Sequence, residues 1–128
     1  MISTFETGDA RVPAITQDLT SSTPIFLKHL GTPTGTQQYR YYDSNNIIYR
    51  LADIILLKAE TLNELGRTPE ALVELNSIRT RAGLPSVASV SQSEVRDFIL
   101  KERYVELCLE GKRWYDLIRS GVISRELP

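Results

Sequence analysis

The sequence predicts an all-α fold in which antiparallel helical hairpins, residues 47–128, carry an irregular, loop-rich layer formed by residues 1–46. Three observations predict it. From Ile47 onward, apolar residues recur at helical spacing. Each helical stretch is bounded by a start or stop signal with its own physical cause. The residues before it are rich in Thr, Ser, Gly, Pro and Asp and sustain no helical period.

Within the layer, Pro13, Pro24, Pro33, Gly31 and Gly35 mark turns and extended pieces. Residues 11–15 and 38–42 are weak strand candidates. A loop-like stretch of this length is unusual in an isolated compact domain. It is therefore expected to drape over the helices or over a further part of a longer protein.

The first helix carries Ile48, Leu51, Ala52, Ile55, Ala59 and Leu62 on one stripe, and Gly66 supplies a left-handed stop. Thr68 then reads as an N-cap, with Pro69 at the first helical position. The second helix turns Ala71, Leu72, Leu75, Ile78 and Ala82 inward and ends at Gly83, with Pro85 just beyond. So short a connection makes the two helices antiparallel neighbours. Ser91-x-x-Glu94 is a capping box that opens a third helix, expected to run to Glu110 before Gly111. A short fourth helix, residues 114–119, stops at Gly121.

The first hairpin fits the tetratricopeptide pattern, with Ala59 and Ala71 at the small positions and Leu75 at the large apolar one. Ile55 stands where tryptophan is usual, and Gly83 where proline is usual. Ile47, Ile54, Leu57 and Leu65 lie outside the first helix's main stripe. Leu100 and Leu107 lie away from the third helix's Val95-Ile99-Leu109 face. Helices apolar on two sides expect neighbours on two sides. Stacked repeats are also unstable singly. The chain therefore reads as the C-terminal portion of a larger solenoid-based protein.

Composition narrows the function classes. A net charge of −1, with scattered Lys and Arg, gives no electrostatic case for nucleic acid or an acidic membrane surface. Cys108 is the only cysteine, which excludes an internal disulfide and a cysteine-based zinc cluster. No stretch approaches the length of an apolar membrane span. The first 15 residues lack the basic start and apolar core of a signal peptide.

Candidate chemistry is sparse. Glu102, Glu106 and Glu110 recur at every fourth position, and the first two follow the apolar face of the third helix. A buried carboxylate pair could be a glycosidase acid and base. However, adjacent helical turns do not lie on opposite sides of a substrate. Successive carboxylates also repel in a bare helix. The favoured reading is therefore structural: an ion-pair network in which Glu102, Glu106 and Glu110 meet arginines such as Arg79, Arg81 and Arg113, with Arg103 and Asp116 in the same network. Arginine suits this role because its fork satisfies both carboxylate oxygens. His29, the only histidine, has no partners at metal or catalytic spacing, and Cys108 reads as a packing residue. Tyr39, Tyr41 and Tyr42, with Arg40 and Asp43 among them, could form a platform on which sugar rings stack. The plainer reading is that these tyrosines pin the irregular layer onto the helices.

One resemblance spans nearly the whole chain. Arg50, Ala52, Asp53, Leu56, Ala59, Glu60, Asn63, Glu64 and Gly66 are followed by Ala71, Asn76, Arg79, Arg81, Ala82, Gly83 and Leu84. The chain closes with Glu102, Arg103, Glu106, Leu107, Glu110, Gly111, Arg113, Asp116, Leu117, Arg119 and Gly121. These runs, with Gly8-Asp9-x-Arg11 upstream, resemble the C-terminal region of the SusD/RagB family of outer-membrane nutrient-binding lipoproteins. One departure from the pattern is Thr61, where alanine is usual. The resemblance implies a non-enzymatic, cofactor-free, surface-exposed lipoprotein of the cell outer membrane. Such a protein captures oligosaccharides or polysaccharides and delivers them to a TonB-dependent SusC-like transporter, with its lipid anchor outside this chain. It also implies that the signature residues serve as scaffold rather than ligand contacts. The alternative expectation is a free-standing helical-repeat module that holds a peptide or partner protein.

Overall fold

The computed structural model describes residues 5–17, 25–33, 40, 41, 43, 45–88 and 90–126. Among these, helices dominate, as the sequence predicts. A single turn, α1 (Val12–Ile15), leads into two small antiparallel ribbons. In the first, β1 (Thr16–Gln17) pairs with β2 (Ile25–Phe26), setting Thr16 opposite Phe26. In the second, β3 (Thr32–Pro33) pairs with β4 (Arg40–Tyr41), setting Thr32 opposite Tyr41. Then come α2 (Leu51–Glu64), α3 (Thr68–Arg81), α4 (Gln92–Glu106), α5 (Arg113–Ser120) and the short α6 (Ile123–Glu126). The strand expected over 11–15 is instead the turn of α1, with Pro13 in its first turn. Of the strand expected over 38–42, Arg40 and Tyr41 are in β4, and residues 38, 39 and 42 lie outside the described residues.

α2 packs against α3, and α4 packs against both. Ala52, Leu56, Ala59 and Leu62 of α2 meet Ala71, Leu72, Leu75 and Ile78 of α3, and Val95 and Ile99 of α4 close the cluster. The two alanines of the hairpin, Ala59 and Ala71, are fully buried, which lets the helix axes approach closely. Two polar side chains hold the connections. Buried Asn63 donates through Nδ2 to the Gln92 carbonyl at 2.9 Å, and Asn76 donates to the Val87 carbonyl while accepting from its N–H at 3.0 and 2.8 Å.

Helix ends follow local chemistry, with three corrections. The capping box forms: the Glu94 N–H donates to Ser91 Oγ at 3.3 Å, and the Ser91 N–H donates to the Glu94 carboxylate at 2.9 Å. Thr68, however, is the first residue of α3, and Arg67 occupies the cap position. The Thr68 hydroxyl donates to Asn63 Oδ1 at 3.0 Å rather than capping its own helix. The first long helix starts at Leu51, not Ile47, because Arg50 is extended (φ −142°, ψ 163°). Ile48 and Leu51, assigned by spacing to the inward stripe, are consequently exposed. α4 ends at Glu106 instead of Glu110, since Leu109 adopts a left-handed conformation with φ 65°. Leu109 is thus partly exposed and off the Val95-Ile99 face, whereas Leu100 and Leu107 are buried within this chain.

Candidate functional site

The turn after α4 is what brings its three glutamates together. Glu102 and Glu106 sit one helical turn apart, and the reversal at Leu109 folds Glu110 back toward the same cations. All three carboxylate side chains are almost completely buried. Burial alone penalises charge heavily, so such groups need close, well-directed cations.

Those cations come from distant parts of the chain. Arg11, just ahead of α1, donates through Nη1 to Glu102 at 2.6 Å and to Glu106 at 2.9 Å. Its other edge grips Asp9, with Nε–Oδ1 at 2.8 Å and Nη2–Oδ2 at 2.7 Å. Arg79 from α3 reaches Glu102 at 3.1 Å and holds Glu6 through two bonds of 2.9 Å. Arg50 donates to Glu106 at 2.5 Å and to Glu110 at 2.9 Å, and Arg81 also bonds Glu106. Lys28 bonds Glu110 at 2.5 Å and the Cys108 carbonyl at 2.9 Å, which anchors the turn itself.

The acids respond to this field. Burial pushes the Glu106 carboxyl up, but hydrogen bonds from Arg50, Arg81 and Arg11 outweigh it and hold the group at about 2. For Glu6 the Arg79 hydrogen bond dominates, opposed by burial and aided by Lys101, and the carboxyl is again lowered to about 2.

A second cluster centres on Arg103 of α4. Buried Arg103 bonds Asp116 at 2.9 Å and contacts Asp53 at 2.9 Å, tying α4 to α5 and α2. Arg119 extends the chain of charge, gripping Glu60 through two bonds of 2.7 Å and Asp116 at 2.9 Å. Arg113 donates to the Leu100 carbonyl at 3.3 Å and lies 4.6 Å from the Tyr104 ring centre.

The structure therefore groups the singled-out charged residues into two centres: Glu102, Glu106, Glu110, Arg79 and Arg81 in one, and Arg103 and Asp116 in the other. Sequence reasoning did not assign Glu6, Asp9, Arg11, Lys28 and Arg50 to the first centre, nor Asp53, Glu60 and Arg119 to the second. The usable signal was the Asp9-x-Arg11 pair, whose spacing suits a local fork, and the resemblance motif that contains Arg50 and Asp53. Tyr39 and Tyr42 lie outside the described residues, and Tyr41 is placed only by its backbone in β4. Among the described residues no group of His, Cys, Asp and Glu is arranged to hold a metal ion. No described helix is long and apolar enough to cross a membrane.

Guanidinium groups from the residues just before α1 and α2 and from α3 hold the acids of the first centre, and those of α4 and α5 hold the acids of the second. The chain matches the profile of the SusD family over residues 8–126. It belongs to that family. It is 46% identical over 88 residues to SusD-like protein P38 of Formosa agariphila, covering 62% of this chain and 18% of that protein. SusD-like protein P2 of the same organism is 38% identical over 89 residues, with the same coverage of each. The crystal structure of a SusD homolog from Bacteroides thetaiotaomicron superposes with a TM-score of 0.80 at 30% identity, covering 94% of this chain and 28% of that one. A second SusD superfamily protein from that organism gives 0.74 at 30% identity, over 98% and 29%. The chain thus spans less than a third of the length of the relatives it matches.

Proposed function

We propose that this chain is the helical scaffold of a glycan-capturing outer-membrane lipoprotein. The whole protein would bind oligosaccharides without cleaving them and pass them to a TonB-dependent SusC-like transporter. The observation that carries this reading is the engagement of Glu102 and Glu106. Both are buried and share the Arg11 guanidinium, so neither is placed as a general acid or base beside an open cleft. Family membership supplies the ligand class and the partner class. No cofactor enters this mechanism, which consists of stacking and hydrogen bonding. Tyr39, Tyr41 and Tyr42 are the candidate stacking residues within this chain. Residues 1–46 and 47–128 act in this reading as a layer and its support.

Calorimetric titration of the full-length protein with a panel of soluble oligosaccharides tests the proposal. Binding with the sugar recovered intact is expected. Release of new reducing ends would refute the non-enzymatic reading, and a folded protein that binds no glycan would refute the ligand class. Triple replacement of Tyr39, Tyr41 and Tyr42 by alanine is expected to weaken affinity by about tenfold or more if they stack on sugar.

A further inference from the structure

One buried carboxylate closes the neck of a loop. Lys28 and Arg50 flank residues 29–49, the part of the irregular layer that holds β3, β4 and the candidate stacking residues Tyr39, Tyr41 and Tyr42. Both cations end on Glu110. Lys28 Nζ donates to Oε1 at 2.5 Å, and Arg50 Nε donates to Oε1 at 2.9 Å and to Oε2 at 3.1 Å. The Glu110 side chain is 1% exposed, so the departing and returning ends of the loop meet at a point shielded from water.

Further bonds along the loop follow the same plan. Lys112, just past Gly111, donates to the Ile48 carbonyl at 2.5 Å and lies 3.9 Å from the Tyr49 ring centre. Nearer β3, Asp43 accepts from the Thr32 N–H at 2.9 Å and from its hydroxyl at 2.6 Å, beside the pairing of Thr32 with Tyr41. Directly after the anchored Lys28, the backbone reverses through His29 and Gly31, with φ 69° and 65°.

Glu110 differs in this from the other acids of its centre. Glu102 and Glu106 share Arg11 and bond Arg79 and Arg81 of α3, so they join the layer to the helical hairpin. The cations on Glu110 are instead those at the two ends of one loop. Each end also keeps a second bond, Lys28 to the Cys108 carbonyl at 2.9 Å and Arg50 to Glu106 at 2.5 Å. Removing the Glu110 charge therefore loosens the neck without detaching the ends.

We infer that Glu110 is a positioning residue for ligand capture: it fixes where the loop 29–49 leaves and rejoins the scaffold, and hence where that loop meets a sugar. The inference rests on the glycan reading above. A loop tied at one end only samples many paths, whereas a shared neck removes that freedom beforehand and leaves less ordering to the binding step. Glu110 touches no sugar in this scheme and acts through Lys28 and Arg50.

Amide exchange and calorimetry on the complete gene product test this. In Glu110→Gln, the hydrogen-bonded amides of Leu30 and Thr32 are expected to exchange at least about tenfold faster, while those of Leu56 and Leu75 in the helical core stay within about twofold. Calorimetry uses maltohexaose, cellohexaose, laminarihexaose, xylohexaose and mannohexaose. Affinity for whichever of these the unmodified protein binds is expected to fall at least about tenfold. Equal acceleration in loop and core would make Glu110 a scaffold residue only and overturns the inference. Unchanged rates at Leu30 and Thr32 overturn it too, as does a loosened loop with unaltered affinity. If the unmodified protein binds none of the sugars, the glycan reading and this inference fall together, and the exchange rates then report separately on the neck. Should Glu110→Gln fail to fold, Lys28→Gln opens the same neck from its partly exposed side, and the same two readouts decide.

Discussion

Arg11 and Arg81 both reach Glu106, yet their removal should have unequal effects. The Arg11 side chain is 12% exposed and bridges Asp9, Glu102 and Glu106, whereas that of Arg81 is 58% exposed. Arg11→Ala is expected to cost about 3–5 kcal/mol, because it strands buried acids. Arg81→Ala should cost less than about 1 kcal/mol, the usual worth of a solvent-screened pair. Urea titration of the two variants separates these outcomes. The acids also predict a pH dependence. Glu6 and Glu106 lie near 2 in the folded chain against an ordinary 4.5, so the unfolded chain binds more protons in between. The stability they contribute is full above pH 4.5 and is lost as pH falls toward 2. Urea midpoints measured across that interval should fall with pH, and Glu106→Gln should flatten the slope. Helical spacing put forward Arg79, Arg81 and Arg113 as partners of the acids; Arg79 and Arg81 bond Glu102 and Glu106, while Arg113 donates to the Leu100 carbonyl. It could not reach Arg11 or Lys28, which are 91 and 82 residues away from the acids they meet and share no periodic relation with them.

Most helix boundaries were legible because single residues force them. Gly66 has φ 75°, and a Cβ built there meets nothing within 4 Å, so Gly66→Ala isolates the conformational cost. That substitution should destabilise by about 1 kcal/mol, and Ser91→Ala should do so by a similar amount through loss of the α4 cap. Thermal unfolding of each variant checks both values. The two misread ends have a common cause. Apolar periodicity continues through Ile47 and Ile48 and through Leu107 and Leu109, but it reports which residues seek cover, not which backbone angles they adopt. Arg50 is extended and reaches back to Glu106 and Glu110, and Leu109 turns left-handed although no glycine announces it. Both departures bring charge into the same buried centre. The third helix was read too long for the same reason that its last glutamate was useful.

At the scale of the molecule, the irregular layer is fastened to the helices by charge as much as by apolar contact. Glu6, Asp9, Arg11 and Lys28 all belong to the lattice around α4, and the Ala10 N–H donates to the Ala82 carbonyl at 3.0 Å. Layer and helices are therefore expected to unfold in one transition. Far-ultraviolet circular dichroism and Trp114 fluorescence should give coincident urea curves, and two separated midpoints would contradict this. The layer's shape was the least legible part of the sequence, because two-residue strands carry no repeat to read and their partners are set by turns and ion pairs. The same long-range fastening has a consequence for biosynthesis. Arg11 leaves the ribosome 95 residues ahead of Glu106, so its guanidinium stays hydrated until α4 has emerged. Locking of the irregular layer therefore follows synthesis of α4, and a polypeptide terminated ahead of Glu106 would leave that layer open for proteases to clear.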